Sequence, residues 1–419
     1  MRLCFEGNWE VAVAKGEIYA GLDIGSTKVC TAVAEAFPDG RIDIIGVGIA
    51  QCSGLKKGVV VDMDSAANAI KESVDIAQKL SGTEIHSAVV SVTGEHIASQ
   101  NSIGRVAVTR EDQEIRREHV ERVLDASRVI PVPPEREIIH AIPRGFIVDG
   151  QAGIKDPVGM SGRRIEVETH IVTGATSFLQ NVTKCVQRAG LDSEEMVLTS
   201  IASGLATTSQ EERNLGVGVV DIGGGTTDIA IFTEGEVSYT AVLPIGGSHI
   251  THDIAVGLQT SQEEAERAKR DYGCASTSMA GSDEQIRIAA LGSSEPKELP
   301  RRILAEMIEP RVEEILEMVR REIVRSEKQA LLPMGIVLTG GGALLPGMVE
   351  SATRILDAPC RIESPRGIGG MVESVNSPIH STAVGLIKFI AAERSIDKNE
   401  IGGPSLLGRL LHRMRGLFG

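Results

Sequence analysis

Two stretches of the chain place an aspartate, glycines and hydroxyl side chains in the same order. The first contains Asp23, Gly25, Ser26, Thr27 and Lys28, and the second contains Asp221, Gly223, Gly224, Gly225, Thr226 and Thr227. Apolar runs enter and leave both stretches, which predicts a β-hairpin in each. Because glycine lets backbone N–H groups approach an anion closely and hydroxyls add donors, both hairpins are predicted to bind phosphate.

The aspartates Asp23 and Asp221 each stand where the first strand of a hairpin ends. Mg²⁺ keeps several waters and is usually held by one or two carboxylates beside substrate phosphates. We therefore expect both aspartates to hold Mg²⁺ through water, next to a nucleotide. In a Walker loop or a Rossmann turn the glycines open a helix, whereas residues 28–33 have strand character, so neither fold fits.

Two further glycine-rich stretches are predicted to contact the same nucleotide. They comprise Gly340, Gly341 and Gly342 after the apolar run 336–339, and Gly246 and Gly247 at the start of a predicted helix. The N-terminus of a helix is a suitable site for an anion. Pro346 suits the first turn of a helix after the glycine triplet. The alternative for the triplet is that its glycines serve close packing only.

The composition limits the class of protein. The chain has 419 residues, of which 42% are hydrophobic and 3% aromatic, so an aliphatic α/β core is expected. Its net charge of −14 argues against nucleic acid as the main partner. Six scattered cysteines without a Cys-x-x-Cys motif fit a reducing compartment. The absence of an apolar run of about 20 residues, and of a signal-like start, predicts a cytosolic protein.

The positions of the motifs predict two lobes with duplicated mixed-sheet cores that face one nucleotide. The predicted boundaries are 1–17 for an N-terminal extension, 18–96 and 165–198 for the core of lobe one, 97–164 for a subdomain inserted in it, 199–248 and 309–392 for the core of lobe two, 249–308 for its small subdomain, 393–404 for a linker and 405–419 for a tail. Within lobe two, Pro310 predicts a kink or a break in a helix over 301–327.

The tail has the pattern of a basic amphipathic helix. Its apolar residues, which follow steps of three and four, are Leu406, Leu407, Leu410, Leu411, Met414, Leu417 and Phe418, and its arginines are Arg409, Arg413 and Arg415. Such a helix on an acidic protein, set apart by a linker, predicts binding to an anionic membrane surface. The alternative is a terminal helix docked onto the body of the protein, which leaves the linker and the arginines without a role.

Together these motifs resemble the actin superfamily of ATPases, which includes actin, the seventy-kilodalton heat-shock chaperones and the sugar kinases. Within it the chain resembles the FtsA family, through the inserted subdomain, residues 58–62 and 308–311, and the linker with its tail. The resemblance implies an actin-like two-lobed α/β fold with ATP and Mg²⁺ as ligands. It also implies that Glu266 and Lys269 hold the adenosine.

The resemblance further implies a role in bacterial cell division. Members of this family assemble with their own copies, work with other division proteins and tether FtsZ filaments to the inner membrane, so the chain is expected as a peripheral protein on the cytoplasmic side of the cell membrane at the division site. The small subdomain is expected to bind the C-terminal tail of FtsZ through Lys297, Arg311 and Glu314. The alternative for these three residues is a solvated helix face.

One position departs from the pattern of the superfamily. Where the chaperones have a glutamate before the first connecting helix, this chain has Thr199. Hydrolysis of a nucleotide requires a water oriented for in-line attack. We therefore expect ATP binding with at most slow turnover. The alternatives are a kinase or phosphatase of the same superfamily, for which no catalytic carboxylate can be located, and a soluble actin-like cytoskeletal ATPase.

Overall fold

The computed structural model describes residues 16–109, 113–281, 283–289 and 296–399, with the backbone only for 395–399. The amphipathic tail and all but the end of the N-terminal extension lie outside the described residues. No helix in the described ranges is long and apolar enough to cross a membrane.

The first part of the chain forms the core of lobe one. Its elements are β1 (Glu17–Ile24), β2 (Lys28–Ala36), β3 (Ile42–Gln51), β4 (Leu55–Lys56), β5 (Val59–Val60), α1 (Met63–Ser81) and β6 (Ser87–Val92). Helix α1 begins where the Asp62 carboxylate accepts from the N–H groups of Asp64 and Ser65, and it ends at Gly82 in the left-handed region. Its buried alanines, with Ile70 and Val74, pack on the sheet.

The inserted subdomain follows as a second sheet. It contains β7 (Ala98–Ala107), α2 (Arg117–Arg128), β8 (Arg136–Val148), β9 (Gln151–Ile154) and β10 (Arg164–Ala175), in the strand order β7-β10-β8-β9. The predicted return of the chain to the core of lobe one at residue 165 is wrong, because β10 pairs with β7 and β8 along its length. Strand β10 is buried on this sheet, and an apolar strand alone does not specify which sheet it joins.

The chain then passes into lobe two. The passage is made by α3 (Thr176–Arg188), β11 (Asp192–Leu198), α4 (Thr199–Thr207) and α5 (Gln210–Leu215). Lobe two contains β12 (Val217–Ile222), β13 (Thr227–Thr233), β14 (Glu236–Leu243), α6 (Gly247–Leu258), α7 (Gln262–Tyr272), β15 (Gln285–Ile288), β16 (Lys297–Pro300), α8 (Arg301–Arg325), β17 (Ile336–Thr339), α9 (Met348–Leu356) and β18 (Cys360–Ile362). The last elements are β19 (Gly369–Gly370), which returns to the sheet of lobe one, α10 (Val372–Val375) and α11 (Ser381–Asn399).

The two core sheets repeat one arrangement. Lobe one has the strand order β11-β6-β1-β2-β3-β19, and lobe two has β14-β13-β12-β17-β18. In each lobe the first strand of a phosphate hairpin pairs antiparallel with its partner and parallel with a strand on its other side, β6 or β17. The duplication predicted from the two motifs is therefore confirmed in the sheets.

Three local predictions in the second half of the chain are corrected. Of the kink or break predicted at Pro310, the break is wrong, because α8 continues through it and buried side chains on both sides, such as Ile308 and Val312, keep it in the core. Residues 393–399 continue α11 instead of forming a linker, and Arg394 there pairs with Glu194. Pro346 precedes α9, which begins only after Gly347 in the left-handed region.

Helices α4 and α11 pack against each other between the two sheets. A Cβ added to Gly385 of α11 would lie 1.8 Å from the carbonyl oxygen of Ala202 in α4. On the other side, a Cβ on Gly21 of β1 would lie 2.3 Å from the carbonyl oxygen of Ala383. The two lobes are joined through this contact, and it has no room for a methyl group.

Replacing Gly385 by Ala is expected to destabilise the protein, although alanine in a helix is intrinsically better than glycine by about 1 kcal/mol. Overpacking of a rigid contact costs about 1–3 kcal/mol, and here the neighbouring atom is backbone. The urea midpoint should fall. Gly145→Ala is the control, because its nearest neighbour would lie 3.7 Å away. Equal midpoints for the two variants would contradict the close contact.

Candidate functional site

Both predicted phosphate hairpins are present. In the first, the N–H of Gly25 donates to the carbonyl of Lys28 at 2.9 Å, which closes the turn between β1 and β2. In the second, the N–H of Gly223 donates to the carbonyl of Thr226 at 2.9 Å between β12 and β13. The same hydrogen bond thus closes two turns built from different residues.

The hairpins face each other at close range. A Cβ on Gly224 would lie 2.6 Å from Cγ2 of Thr27, and one on Gly225 would lie 2.4 Å from Oγ of Ser26. The two glycines are therefore required by the approach of the opposite lobe. Between the hairpins lies a cleft lined by Asp23, Ile24, Gly25, Ser26, Thr27, Lys28, Thr93, Thr199, Asp221, Gly223, Gly224, Gly225, Thr226, Asp228, Gly340, Gly341, Pro378, Ile379 and Thr382.

The two expected Mg²⁺ aspartates both line this cleft. Nζ of Lys28 lies 3.3 Å from the Asp23 carboxylate, and Thr382 donates to Asp221 at 3.1 Å. Burial, together with the charge of Asp23, raises the pKa of Asp221 to about 6. The described residues contain no group of three side chains that could hold a metal ion by themselves. Two carboxylates facing phosphate hairpins nevertheless fit Mg²⁺, since this ion takes its other ligands from water and phosphate.

A third carboxylate in the cleft, Asp228, was not predicted. It accepts from the hydroxyl of Thr226 at 2.8 Å and from that of Thr93, which belongs to lobe one. Burial raises its pKa to about 7. The signal available in the sequence was its position two residues after Thr226, which places it on the same side of β13.

Three residues predicted to contact the ligand make contacts within the protein itself. The Thr227 hydroxyl is buried and donates to the carbonyl of Ile245 at 2.8 Å. At the start of α6, the N–H of Gly247 donates to the carbonyl of Gly223 at 2.9 Å, and a Cβ on Gly246 would lie 2.6 Å from the same oxygen. Thr227, Gly246 and Gly247 therefore support the second hairpin from behind, and their direct contact with a nucleotide stays a prediction.

The residues predicted for the adenosine lie beside the cleft. Nζ of Lys269 lies 2.6 Å from the Glu266 carboxylate and donates to the carbonyl of Gly247 at 3.0 Å. A Cβ on Gly247 would in turn lie 4.0 Å from the Cα of Gly342. Glu266, Lys269, Gly247 and Gly342 are thus neighbours, although none of them lines the space between the hairpins. Their contact with adenosine stays a prediction.

The position that departs from the chaperone pattern also lines the cleft. Thr199 is buried, and its hydroxyl donates to the carbonyl of Val92 at 3.2 Å. Threonine carries no carboxylate, and the hydroxyl proton of Thr199 is already donated. At this position the cleft therefore has a bonded hydroxyl where the chaperones have a glutamate.

The three residues predicted to bind a partner lie on two different elements. Lys297 is exposed on β16, whereas Arg311 lies on α8. The Arg311 guanidinium donates to both oxygens of Asp253, at 2.7 and 3.1 Å, and also pairs with Glu314. The two basic residues, Lys297 and Arg311, therefore differ, because the Arg311 guanidinium already forms ion pairs with Asp253 and Glu314.

Comparison with known proteins decides the family. A family model described as "Cell division protein FtsA" matches residues 218–385, and one described as "SHS2 domain inserted in FTSA" matches residues 94–173. The cell division protein FtsA of Pseudomonas aeruginosa is 43% identical over 378 residues, which cover 90% of this chain and 90% of that protein. The chain belongs to the FtsA family of cell-division proteins. The range of the second model also supports the end of the inserted subdomain within β10.

Solved structures show the fold. The PilM–PilN type IV pilus biogenesis complex matches with a TM-score of 0.65 and 19% identity, over 89% of this chain and 98% of that chain. MreB5 of Spiroplasma citri bound to ADP matches with a TM-score of 0.54 and 16% identity, over 92% of this chain and 99% of that chain. The chain has an actin-like fold, as predicted for this family.

Asp228 is expected to make stability depend on pH. A carboxyl with a pKa raised to about 7 binds its proton more tightly in the folded state, so folding is disfavoured progressively as the pH rises from about 4 to about 7. Asp228→Asn removes this cost. Its urea midpoint should exceed that of the parent at pH 8, by more than any difference seen at pH 5.

Asp75→Asn is the matched control, because Asp75 is exposed on α1. Its midpoint should differ from that of the parent by the same amount at both pH values. If Asp228→Asn behaved like this control, Asp228 would be ionised across the whole range and the assigned environment would be wrong.

Proposed function

We propose that the chain is an ATP-binding membrane adaptor, which assembles with its own copies, binds the C-terminal tail of FtsZ and anchors the Z ring to the cytoplasmic face of the cell membrane. The observation that carries this proposal is the pair of phosphate hairpins facing each other from separate lobes, in a chain of the FtsA family that ends in a basic amphipathic pattern.

The cleft supports ATP with Mg²⁺ as the ligand. Glycines and hydroxyls of both hairpins face a space that carries the Asp23 and Asp221 carboxylates. Asp23, Asp221 and solvent would hold the ion, and the ion would neutralise charge on the phosphates there. A ligand that touches both lobes favours the closed arrangement by its differential affinity. Closure changes the surfaces that copies of the chain present to each other.

The same cleft favours ATP as a bound ligand over ATP as a rapidly consumed substrate. Thr199 supplies no carboxylate to orient a water, and its hydroxyl is bonded to Val92. A superfamily kinase or phosphatase would need a catalytic carboxylate beside a second substrate, and the relatives of this chain are cell-division proteins. The amphipathic tail would also have no role in it.

The membrane proposal rests on the sequence of the tail. Seven apolar residues at helical spacing and three arginines between them lie within 405–419. One short helix of this kind binds an anionic surface weakly. Assembly of many copies multiplies the effective affinity, so binding to the membrane and self-assembly support each other.

Flotation with anionic vesicles tests the adaptor. With Mg-ATP and FtsZ present, the full chain is expected to rise with the vesicles and to carry FtsZ with it, because its tail binds lipid. A chain ending at Gly403 should stay in the dense fraction with FtsZ. Neutral vesicles serve as the control, since they lack the charge that attracts the arginines.

Two outcomes would contradict the proposal. If the truncated chain floated as well as the full chain, the tail would not be the anchor. If neither chain floated, the tail would be a docked or partner-binding helix, and a soluble actin-like ATPase would become the better description.

The surface proposed for the FtsZ tail is centred on Lys297. Within the described ranges no carboxylate forms an ion pair with this lysine, which is exposed on β16. Arg311 is engaged by Asp253, so an acidic peptide would have to compete for it. An acidic tail is therefore expected to gain more from Lys297 than from Arg311 or Glu314.

Lys297→Glu is expected to leave FtsZ behind in the flotation experiment while the variant itself still floats, because charge reversal repels an acidic peptide but does not touch the tail. Lys71→Glu is the matched control, with the same change of charge on the exposed side of α1 in lobe one. Recovery of FtsZ by both variants alike would show that the peptide binds elsewhere.

A further inference from the structure

The tight turn between β4 and β5 contains a lysine at a position that usually requires asparagine or glycine. Lys56 pairs with Val59, so Lys57 and Gly58 form a two-residue hairpin turn. Both have positive φ, 53° at Lys57 and 77° at Gly58. Turns of this type strongly favour asparagine or glycine at the first position, because a lysine there is strained by about 1–2 kcal/mol. Strain of this kind is often found at functional sites.

The strained turn touches both phosphate hairpins. The N–H of Gly58 donates to Oγ of Ser26 at 3.1 Å in the first hairpin. A Cβ on Gly225 of the second hairpin would lie 3.0 Å from the backbone nitrogen of Lys57. On its other side, a Cβ on Gly58 would lie 2.8 Å from the carbonyl oxygen of Thr93. The backbone of Lys57 is therefore held at the place where the two hairpins meet.

The cleft has too few cations for a polyphosphate. Its described lining includes three aspartates and one basic residue, Lys28, which already pairs with Asp23 at 3.3 Å. Lys269 nearby pairs with Glu266. A nucleoside triphosphate adds several negative charges, and charges brought together away from water require compensation by opposite charges. Mg²⁺ supplies two positive charges, and the rest must come from side chains.

Lys57 is positioned to supply one. It is half-buried, and it forms no ion pair with any described residue. Burial lowers the pKa of His249 at the start of α6, and the charge of Lys57 lowers it further. Together with the Lys57 backbone beside Gly225, this puts the positive charge of Lys57 in the neighbourhood of the second hairpin.

We propose that Lys57 is a phosphate-binding residue for the bound nucleotide, supplied by lobe one at the meeting point of the two hairpins. This inference rests on the proposed binding of Mg-ATP and adds a ligand contact to it. Because the turn also contacts Gly225 of lobe two, a phosphate held by Lys57 would tie both lobes to the ligand.

The test uses Lys57→Asn in the full chain. Asparagine suits the turn better than lysine, so the variant should unfold at the same or a higher urea concentration than the parent. The dissociation constant for Mg-ATP, measured by titration calorimetry, should rise about tenfold or more, since a charge-assisted hydrogen bond is lost. Added salt should reduce the difference in affinity between parent and variant, because it screens the Lys57 charge of the parent.

Lys56→Gln is the matched control, because Lys56 is exposed one residue away and should bind Mg-ATP like the parent. Parent-like affinity of Lys57→Asn would overturn the inference, as would an equal loss in both variants. Asp221→Ala serves as the reference for a cleft that cannot hold Mg²⁺. If the parent itself did not bind Mg-ATP, the proposed function would fail first, and the result would not be confused with a negative answer on Lys57.

Discussion

The packing of α4 against α11 is the constraint on which the rest of the structure depends. The carbonyl of Ala202 occupies the space that a side chain at Gly385 would need. On the side of lobe one, the carbonyl of Ala383 in α11 occupies the space that a side chain at Gly21 would need. These contacts set the distance between the two core sheets. The two hairpins extend from those sheets, so the same contacts also set the width of the cleft. The distance between α4 and α11 therefore also determines the distance between the phosphate-binding loops.

The cleft is lined by more acidic than basic side chains, with three aspartates and Lys28. Asp221 and Asp228 are buried with carboxyl pKa values raised to about 6 and about 7, and Lys28 compensates only Asp23 directly. A hydrated Mg²⁺ ion with phosphates would complete the set of charges. This supports a nucleotide that acts as part of the folded structure, and the hydroxyl of Thr199 in place of a carboxylate agrees with slow consumption.

The inserted subdomain also joins the lobes. Ser99 donates to the carbonyl of Thr240 at 2.7 Å, and Nε2 of His170 lies 3.0 Å from the Thr240 hydroxyl on β14, the edge strand of lobe two. Arg144 donates to Thr233 at 2.8 Å on the neighbouring strand. Strand β13 carries both Thr233 and, at its other end, Asp228 of the cleft. The second hairpin and the contact with the inserted subdomain thus lie at the two ends of one strand.

The sequence by itself determined the elements that local chemistry controls: both hairpins, and the positions of Asp23 and Asp221 near the ends of their first strands. Glycine, capping side chains and apolar periodicity act over a few residues, so their pattern is readable in one dimension. Only the tertiary structure decided that β10 joins the inserted sheet, that Thr227 bonds to Ile245, that α8 continues through Pro310, that Asp228 lines the cleft, and that the backbone of Lys57 lies beside Gly225. These outcomes depend on contacts between residues far apart in the chain, where burial outweighs local preference.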